Sequence, residues 1–155
     1  RRKSKHEFVS ELGADGTKNQ VIHCKQRPIS NCIIKNECRI DYLHMNGREV
    51  YKFVVKEIPA LITRVIEKSD IKIGDVKYFI LHQANKRMNE IIAKNLGLSF
   101  DKFPCNLERT GNTSAASVPV LLDEVNRKGM LSRGDYIVIC SFGAGMTWGA
   151  SLLRW

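Results

Sequence analysis

Three short stretches of this sequence hold polar groups where a buried ligand could use them. In "FILHQANKRM" (79–88), His82 follows an apolar run. In "TGNTSAAS" (110–117), Asn112 stands between glycine and hydroxyl residues, and "FGAGMTWG" (142–149) is rich in glycine. A neutral imidazole offers one N–H, an asparagine amide offers two, and a glycine-rich turn can aim backbone N–H groups at a ligand. Brought together, such donors would stabilise an oxygen on which negative charge develops. Each also has a plainer reading: a satisfied structural histidine, a turn or helix-capping asparagine, a simple hairpin. Spacing alone leaves both readings open.

The elements around these residues favour convergence. Val50, Val54, Ile58, Leu61 and Val65 recur every three or four residues, as on one face of a helix. Pro59 inside that run predicts a kink. "VKYFIL" (76–81) reads as a buried strand, followed by a helix from Asn85 to Leu96 with Met88, Ile91, Ile92 and Leu96 inward and Gly97 closing it. Residues 102–107 read as a further strand. Ser114 to Lys128 reads as a helix, with Pro119 tolerated near its start. "DYIVICSF" (135–142) and "ASLLRW" (150–155) read as two strands of a hairpin. Residues 7–40, punctuated by Gly13, Gly16 and Pro28, read as strands and loops, and 1–40 is the least certain region. Strands alternating with helices and ending in a hairpin predict an α/β fold with a mixed β-sheet packed with helices. Ligands in such sheets bind where strands end, which is where His82 and Asn112 fall.

The 155 residues suit one domain, able to bury roughly 68–70% of its unfolded surface. No apolar run approaches the ~18–20 residues a membrane span requires, and the basic start "RRKSKHEFVS" lacks the apolar segment of a signal peptide. The net charge of +9 is uneven: residues 1–40 hold nine Lys/Arg against four Asp/Glu, the last 55 only six against five. A basic surface attracts acidic partners, and no nucleic-acid-binding motif accompanies it. The five cysteines, Cys24, Cys32, Cys38, Cys105 and Cys140, are odd in number and form no CxxC pair, which reads as reduced thiols. A metal site from His23, Cys24, Cys32 and Cys38 would have spacings that fit no usual ligand pattern, so none is expected.

The strings themselves go further. "HQAN" followed by an arginine, "GNTSAASVP" and "FGAGMTWGASLLRW", preceded in order by "LGADG" (12–16) and "MNGREVYKFVV" (45–55), closely resemble the C-terminal half of the β-ketoacyl-acyl-carrier-protein synthase III family. These are thiolase-fold condensing enzymes that start fatty acid synthesis. The resemblance covers almost the whole chain and is weakest at residues 17–40 and the first ten. It implies that 1–155 is a single C-terminal thiolase-like domain, one half of a thiolase-like fold. The nucleophile-bearing N-terminal half would lie outside this sequence, since no cysteine here sits in the family's "A-C-small-G" context. It also implies an exposed apolar face that the other half would cover.

By that resemblance His82 and Asn112 belong to a Cys-His-Asn triad. They would donate to the enolate oxygen left when a malonyl thioester loses carbon dioxide. The backbone N–H of Ala144 would serve a second oxyanion hole, where glycine is common in the family. Arg48, Ala84, Asn85 and Phe142 match positions along the pantetheine tunnel, with Arg48 replacing an expected asparagine. Lys52, Arg87 and Lys94 match positions that dock an acidic acyl carrier protein, although each could be an ordinary solvated cation. The implied substrates are acyl-CoA and the phosphopantetheine of an acyl carrier protein, with no permanently bound cofactor and no metal. The implied partners are the carrier protein, a coenzyme A thioester, the N-terminal half and a second subunit in a homodimer, but neither nucleic acid nor membrane. The implied location is cytoplasmic, or the stroma of a plastid-type organelle. Two other readings stand beside this one: a non-catalytic carrier-protein-binding half, or a related thiolase-fold acyltransferase with another acyl substrate.

Overall fold

The computed structural model describes residues 8–24, 33 and 42–155. The periodic run forms a single helix, α1 (Gly47–Glu67). Asn46 caps it by accepting from the Glu49 N–H at 3.2 Å, and Glu49 places negative charge against the positive end of the helix dipole. Val50, Val54, Ile58, Leu61, Ile62 and Val65 are all buried. Pro59 does not end the helix. Proline has no N–H for the carbonyl four residues back, here that of Val55, and this carbonyl accepts instead from Asn95 Nδ2 at 2.9 Å. The neighbouring helix thus supplies the hydrogen bond that proline removes.

That neighbour is α2 (Lys86–Asn95), capped by Asn85, whose Oδ1 accepts from the Arg87 N–H at 2.9 Å. Its buried face is Met88, Asn89, Ile92 and Ala93. Ile91, expected inward, is only half-buried, because at about 100° per residue it lies roughly 130° around the helix from the centre of that face.

The main sheet combines β1 (Phe8–Ala14), β4 (Val76–Leu81), β5 (Tyr136–Gly143) and β6 (Thr147–Arg154) in the order β1-β6-β5-β4. Strands β4 and β5 are parallel, while β6 is antiparallel to both its neighbours. The short strands β2 (Ile22–His23) and β3 (His44–Met45) pair separately. Alternation gives the sheet two apolar faces. Phe79, Leu81, Val138, Cys140, Ala150 and Leu152 meet α1 and α2. Ile80 and Ile137 meet α4 (Ser117–Arg127) on the opposite face. Fully burying a side chain such as Phe79, stacked on Phe103 at 4.8 Å, is worth roughly 1.5–3 kcal/mol. Ion pairs from Glu11 to Arg64 and Lys68, both at 2.6 Å, tie the β1 edge to α1.

Two expectations need correction. Residues 102–107 are not a strand: a 3-10 turn at Phe100–Lys102 leads through an irregular segment into α3 (Leu107–Thr110). Pro104 cannot donate to a ladder. Asn106 gives its N–H to Gln83 Oε1 at 3.4 Å, and its carbonyl accepts from Arg109 and Thr110 at 2.9 and 3.1 Å, which starts a helical turn. The helix expected from Ser114 begins as a 3-10 turn, Ser114–Ala116, and becomes α-helical at Ser117. Pro119 then falls in the first turn, where an N–H has no helical acceptor to lose. Cys32 and Cys38, half of the weighed metal set, lie outside the described residues, as does most of the segment 25–41.

Candidate functional site

Strand β4 ends by placing His82 against the neighbouring strand. Its N–H donates to the Cys140 carbonyl at 2.9 Å, and the residue is only 9% exposed. The ring lies between two groups. Nδ1 is 2.6 Å from Ser117 Oγ at the start of α4, and Phe142 meets the ring edge-on, with centroids 5.2 Å apart. Burial pushes the His82 pKa down, so the imidazole is neutral near pH 7. Gln83 is wholly buried and folds back: Nε2 donates to the Leu81 carbonyl at 2.8 Å, and Oε1 accepts from Asn106.

Asn112 sits in the loop between α3 and α4. Gly111 before it has φ +65° and ψ −168°, a conformation open essentially only to glycine. The Asn112 Oδ1 accepts from the Ser114 N–H at 2.9 Å, so the NH2 end of its amide is the end left for a ligand. This loop is fastened from outside. Glu124 on α4 accepts from Lys128, from Asn106 Nδ2 at 3.1 Å and from Arg109. Those donors, Lys128 foremost, outweigh desolvation and hold its carboxyl down to about 2. Lys86 and Glu108 pair at 2.7 Å between α2 and α3. Asn106 therefore touches both sides: Gln83, adjacent to His82, and the turn that leads to Asn112.

The third element is the β5–β6 turn. The Ala144 carbonyl accepts from Thr147 Oγ1 at 3.0 Å, and wholly buried Met146 anchors the turn, its carbonyl accepting from the Asp15 N–H at 2.8 Å. Gly145 has φ +135°, and a Cβ there would lie 2.7 Å from Thr147 Cγ2.

His82, Ala84, Asn85, Asn112, Phe142 and Ala144 all line one open cleft of about 1090 Å³. Its remaining walls are mainly apolar, from Leu12 and Met45 to Val50 and Met88, and exposed Leu12 and Leu43 border it. Arg48 is exposed at the start of α1 and is not among the lining residues, although its neighbours Gly47, Val50 and Tyr51 are. Lys52, Arg87 and Lys94 are exposed outside the cleft on α1 and α2, with Lys52 paired to Glu49 at 2.7 Å. No described cysteine lines the cleft. Cys24 is exposed and Cys105 half-buried, while burial pushes the Cys140 thiol up to about 12. Among the described residues no three potential metal ligands come together, and no helix is long and apolar enough to cross a membrane. Sequence reasoning missed Ser117, Gln83, Asn106 and Glu124. Ser117 and Gln83 left a trace, as the last residue of the "TGNTSAAS" run and the second of "HQAN", whereas Asn106 and Glu124 left none.

A family model described as 3-oxoacyl-[acyl-carrier-protein] synthase III C terminal matches residues 66–155. The β-ketoacyl-[acyl-carrier-protein] synthase III of Clostridium acetobutylicum is 46% identical over 145 residues, covering 93% of this chain and 45% of that protein. The protein of the same name from Pyropia yezoensis is 41% identical over 149 residues, 94% of this chain and 46% of its own length. The crystal structure of 3-oxoacyl-[acyl-carrier-protein] synthase III from Aquifex aeolicus superposes with a TM-score of 0.85 at 34% identity, covering all of this chain and 46% of that one. The thiolase-like architecture is thus shared, and the chain spans about half the length of the curated relatives it matches.

Proposed function

The chain belongs to the 3-oxoacyl-[acyl-carrier-protein] synthase III family, as its C-terminal part, and on that premise we propose that it is the decarboxylating half of a condensing enzyme that initiates fatty acid synthesis. Malonyl-acyl-carrier-protein loses carbon dioxide: the bond to the carboxylate breaks, and its electron pair passes into the thioester as an enolate. His82 Nε2–H and the Asn112 NH2 donate to the enolate oxygen, where charge develops, and so lower the barrier. The enolate carbon then attacks an acyl thioester on a cysteine supplied from outside this chain. A carbon–carbon bond forms and the cysteine leaves as thiolate. The Ala144 N–H serves the oxyanion of that second step.

What supports this reading is that two neutral side chains with N–H groups and the Ala144 turn open on the same cleft, with Nδ1 of His82 held at Ser117 Oγ and the Asn112 carbonyl taken up by the Ser114 N–H. The apolar cleft walls suit an acyl chain and the other half of the fold. Ala84, Asn85 and Phe142 line the way in for the pantetheine arm of acyl-CoA or the carrier, with Arg48 at its margin. Lys52, Arg87 and Lys94 offer positive charge to an acidic carrier protein. The complete enzyme acts as a homodimer in the cytoplasm or a plastid-type stroma, without a resident cofactor.

The test uses the whole protein containing this chain, with acetyl-CoA and malonyl-carrier protein. His82→Ala should still accept an acetyl group, seen by intact mass. Its carbon dioxide release should fall on the order of 10²–10³-fold, the usual cost of one oxyanion donor. Unchanged decarboxylation in His82→Ala would remove this role.

A further inference from the structure

Ser117 is 2% exposed and takes no part in the reaction as described, yet its hydroxyl is the closest polar partner of the His82 ring. We propose that Ser117 is a positioning residue that holds His82 as the tautomer with its proton on Nε2, the ring nitrogen that Ser117 does not engage. The proposal rests on the reading of His82 as an oxyanion donor, and it follows from counting protons.

A serine hydroxyl has one hydrogen and two lone pairs. One lone pair of Ser117 Oγ is taken by the backbone N–H of Gln83, at 3.3 Å. That N–H is itself buried and has no freedom to turn away. The hydroxyl hydrogen needs an acceptor, and among the described residues the one within reach is His82 Nδ1, at 2.6 Å. Ser117 therefore donates and Nδ1 accepts. A neutral imidazole that accepts at Nδ1 carries its proton at Nε2. The opposite arrangement, with the proton on Nδ1, would leave the buried serine hydrogen without an acceptor, and an unmade buried hydrogen bond is costly. Turning the ring over would set a C–H against Oγ and again leave the serine hydrogen without an acceptor.

The geometry also explains why the serine stands where α4 begins. Ser117 is the first residue of that helix, after the 3-10 turn that follows Asn112. One segment therefore carries both the Asn112 amide and the hydroxyl that sets the His82 proton. Gln83 N–H completes the set from the other loop.

The experiment records the ¹⁵N resonances of the His82 imidazole in the whole protein, assigned by comparison with His82→Gln, alongside malonyl-carrier-protein decarboxylation. In the unmodified protein Nδ1 should be pyridine-like and Nε2 pyrrole-like. In Ser117→Ala the two signals should move toward a mixture of tautomers. Decarboxylation should then fall by about two- to twelve-fold, which is what one net hydrogen bond of ~0.5–1.5 kcal/mol converts to. Ser117→Thr, which keeps the hydroxyl and guards against a folding defect in the alanine variant, should restore the signals toward the original pattern. Unmoved signals in folded Ser117→Ala would overturn the proposal whatever the activity. Signals that move while decarboxylation stays constant would uphold the tautomer assignment and overturn instead the donor role of His82.

Discussion

Asn112→Asp separates the two ends of one amide. In the structure Oδ1 accepts from the Ser114 N–H at 2.9 Å, and the NH2 is the end available to the cleft. An aspartate keeps the first interaction, since a carboxylate oxygen accepts the same N–H. It replaces the second with another acceptor. Asn112 is exposed and the Ser114 N–H favours the charged form, so the introduced carboxyl is ionised at pH 7. On the proposed function the variant loses one oxyanion donor, worth ~2.7–4 kcal/mol or on the order of 10²–10³ in rate, and adds repulsion against the enolate. The expected loss of decarboxylation is at least about 10³-fold. The loop should survive, because its local hydrogen bond does. Asn112→Ala loses both ends and should also lose the ~0.5–2 kcal/mol typical of a side chain that caps backbone N–H groups. The assay pairs carbon dioxide release from malonyl-carrier protein with acyl transfer from acetyl-CoA and with a urea midpoint. Decarboxylation within tenfold of the unmodified protein, or a parallel loss of acyl transfer, would refute the assignment of the NH2 as a donor.

Two further outcomes follow from hydrogen bonds outside the cleft. Asn95→Ala leaves the Val55 carbonyl without the amide that replaces the proline N–H, and should cost about 0.5–1.5 kcal/mol by urea unfolding. In a Pro59→Ala background, where residue 59 can donate to Val55 itself, the same change should cost markedly less, so equal costs in a double-mutant cycle would refute the exchange. Glu124 titrates at about 2 when folded, against an ordinary 4.5. A depressed carboxyl gives stability that is complete above pH 4.5 and is lost as the pH falls toward about 2. Glu124→Gln should accordingly show a shallower loss of urea midpoint between pH 4.5 and 2 than the unmodified protein, and parallel curves would refute the clamp.

Much of the architecture was legible because it is periodic. The stripe from Val50 to Val65 could only be one face of a helix, and "VKYFIL" and "DYIVICSF" had the β-branched and aromatic content of buried strands. His82 and Asn112 stood out because each is a polar residue where an element ends. The supporting partners were not legible, since their roles exist only in three dimensions. Ser117 is 35 residues from His82, and in sequence it is one hydroxyl among several. Asn106 and Gln83 meet across 23 residues through a backbone N–H that no side-chain pattern reveals. Residues 102–107 resemble a strand in sequence because Phe103 gives the run an apolar look, while the decisive feature is how Asn106 distributes its hydrogen bonds. That Asn95 faces the carbonyl freed by Pro59 is likewise invisible in the sequence, because the two lie on different helices.

The parallel pairing of β4 with β5, in which Leu81 stands opposite Cys140, sets which changes of chain length the protein can absorb. One residue inserted between Tyr78 and Leu81 would carry His82 about 3.3 Å along the strand and turn it to the other face of the sheet. A deletion in β5 would do the same to Phe142 and the turn behind it. The opposite ends of these strands are more forgiving. The ladder already shifts register between Val76 and Tyr78, and the connections at 68–72 and 128–135 lie away from the cleft. Doubling a connection there costs only about 0.6 kcal/mol of closure entropy. Insertions and deletions among descendants of this sequence should therefore collect at one end of the sheet, while the end that bears His82 keeps its residue count.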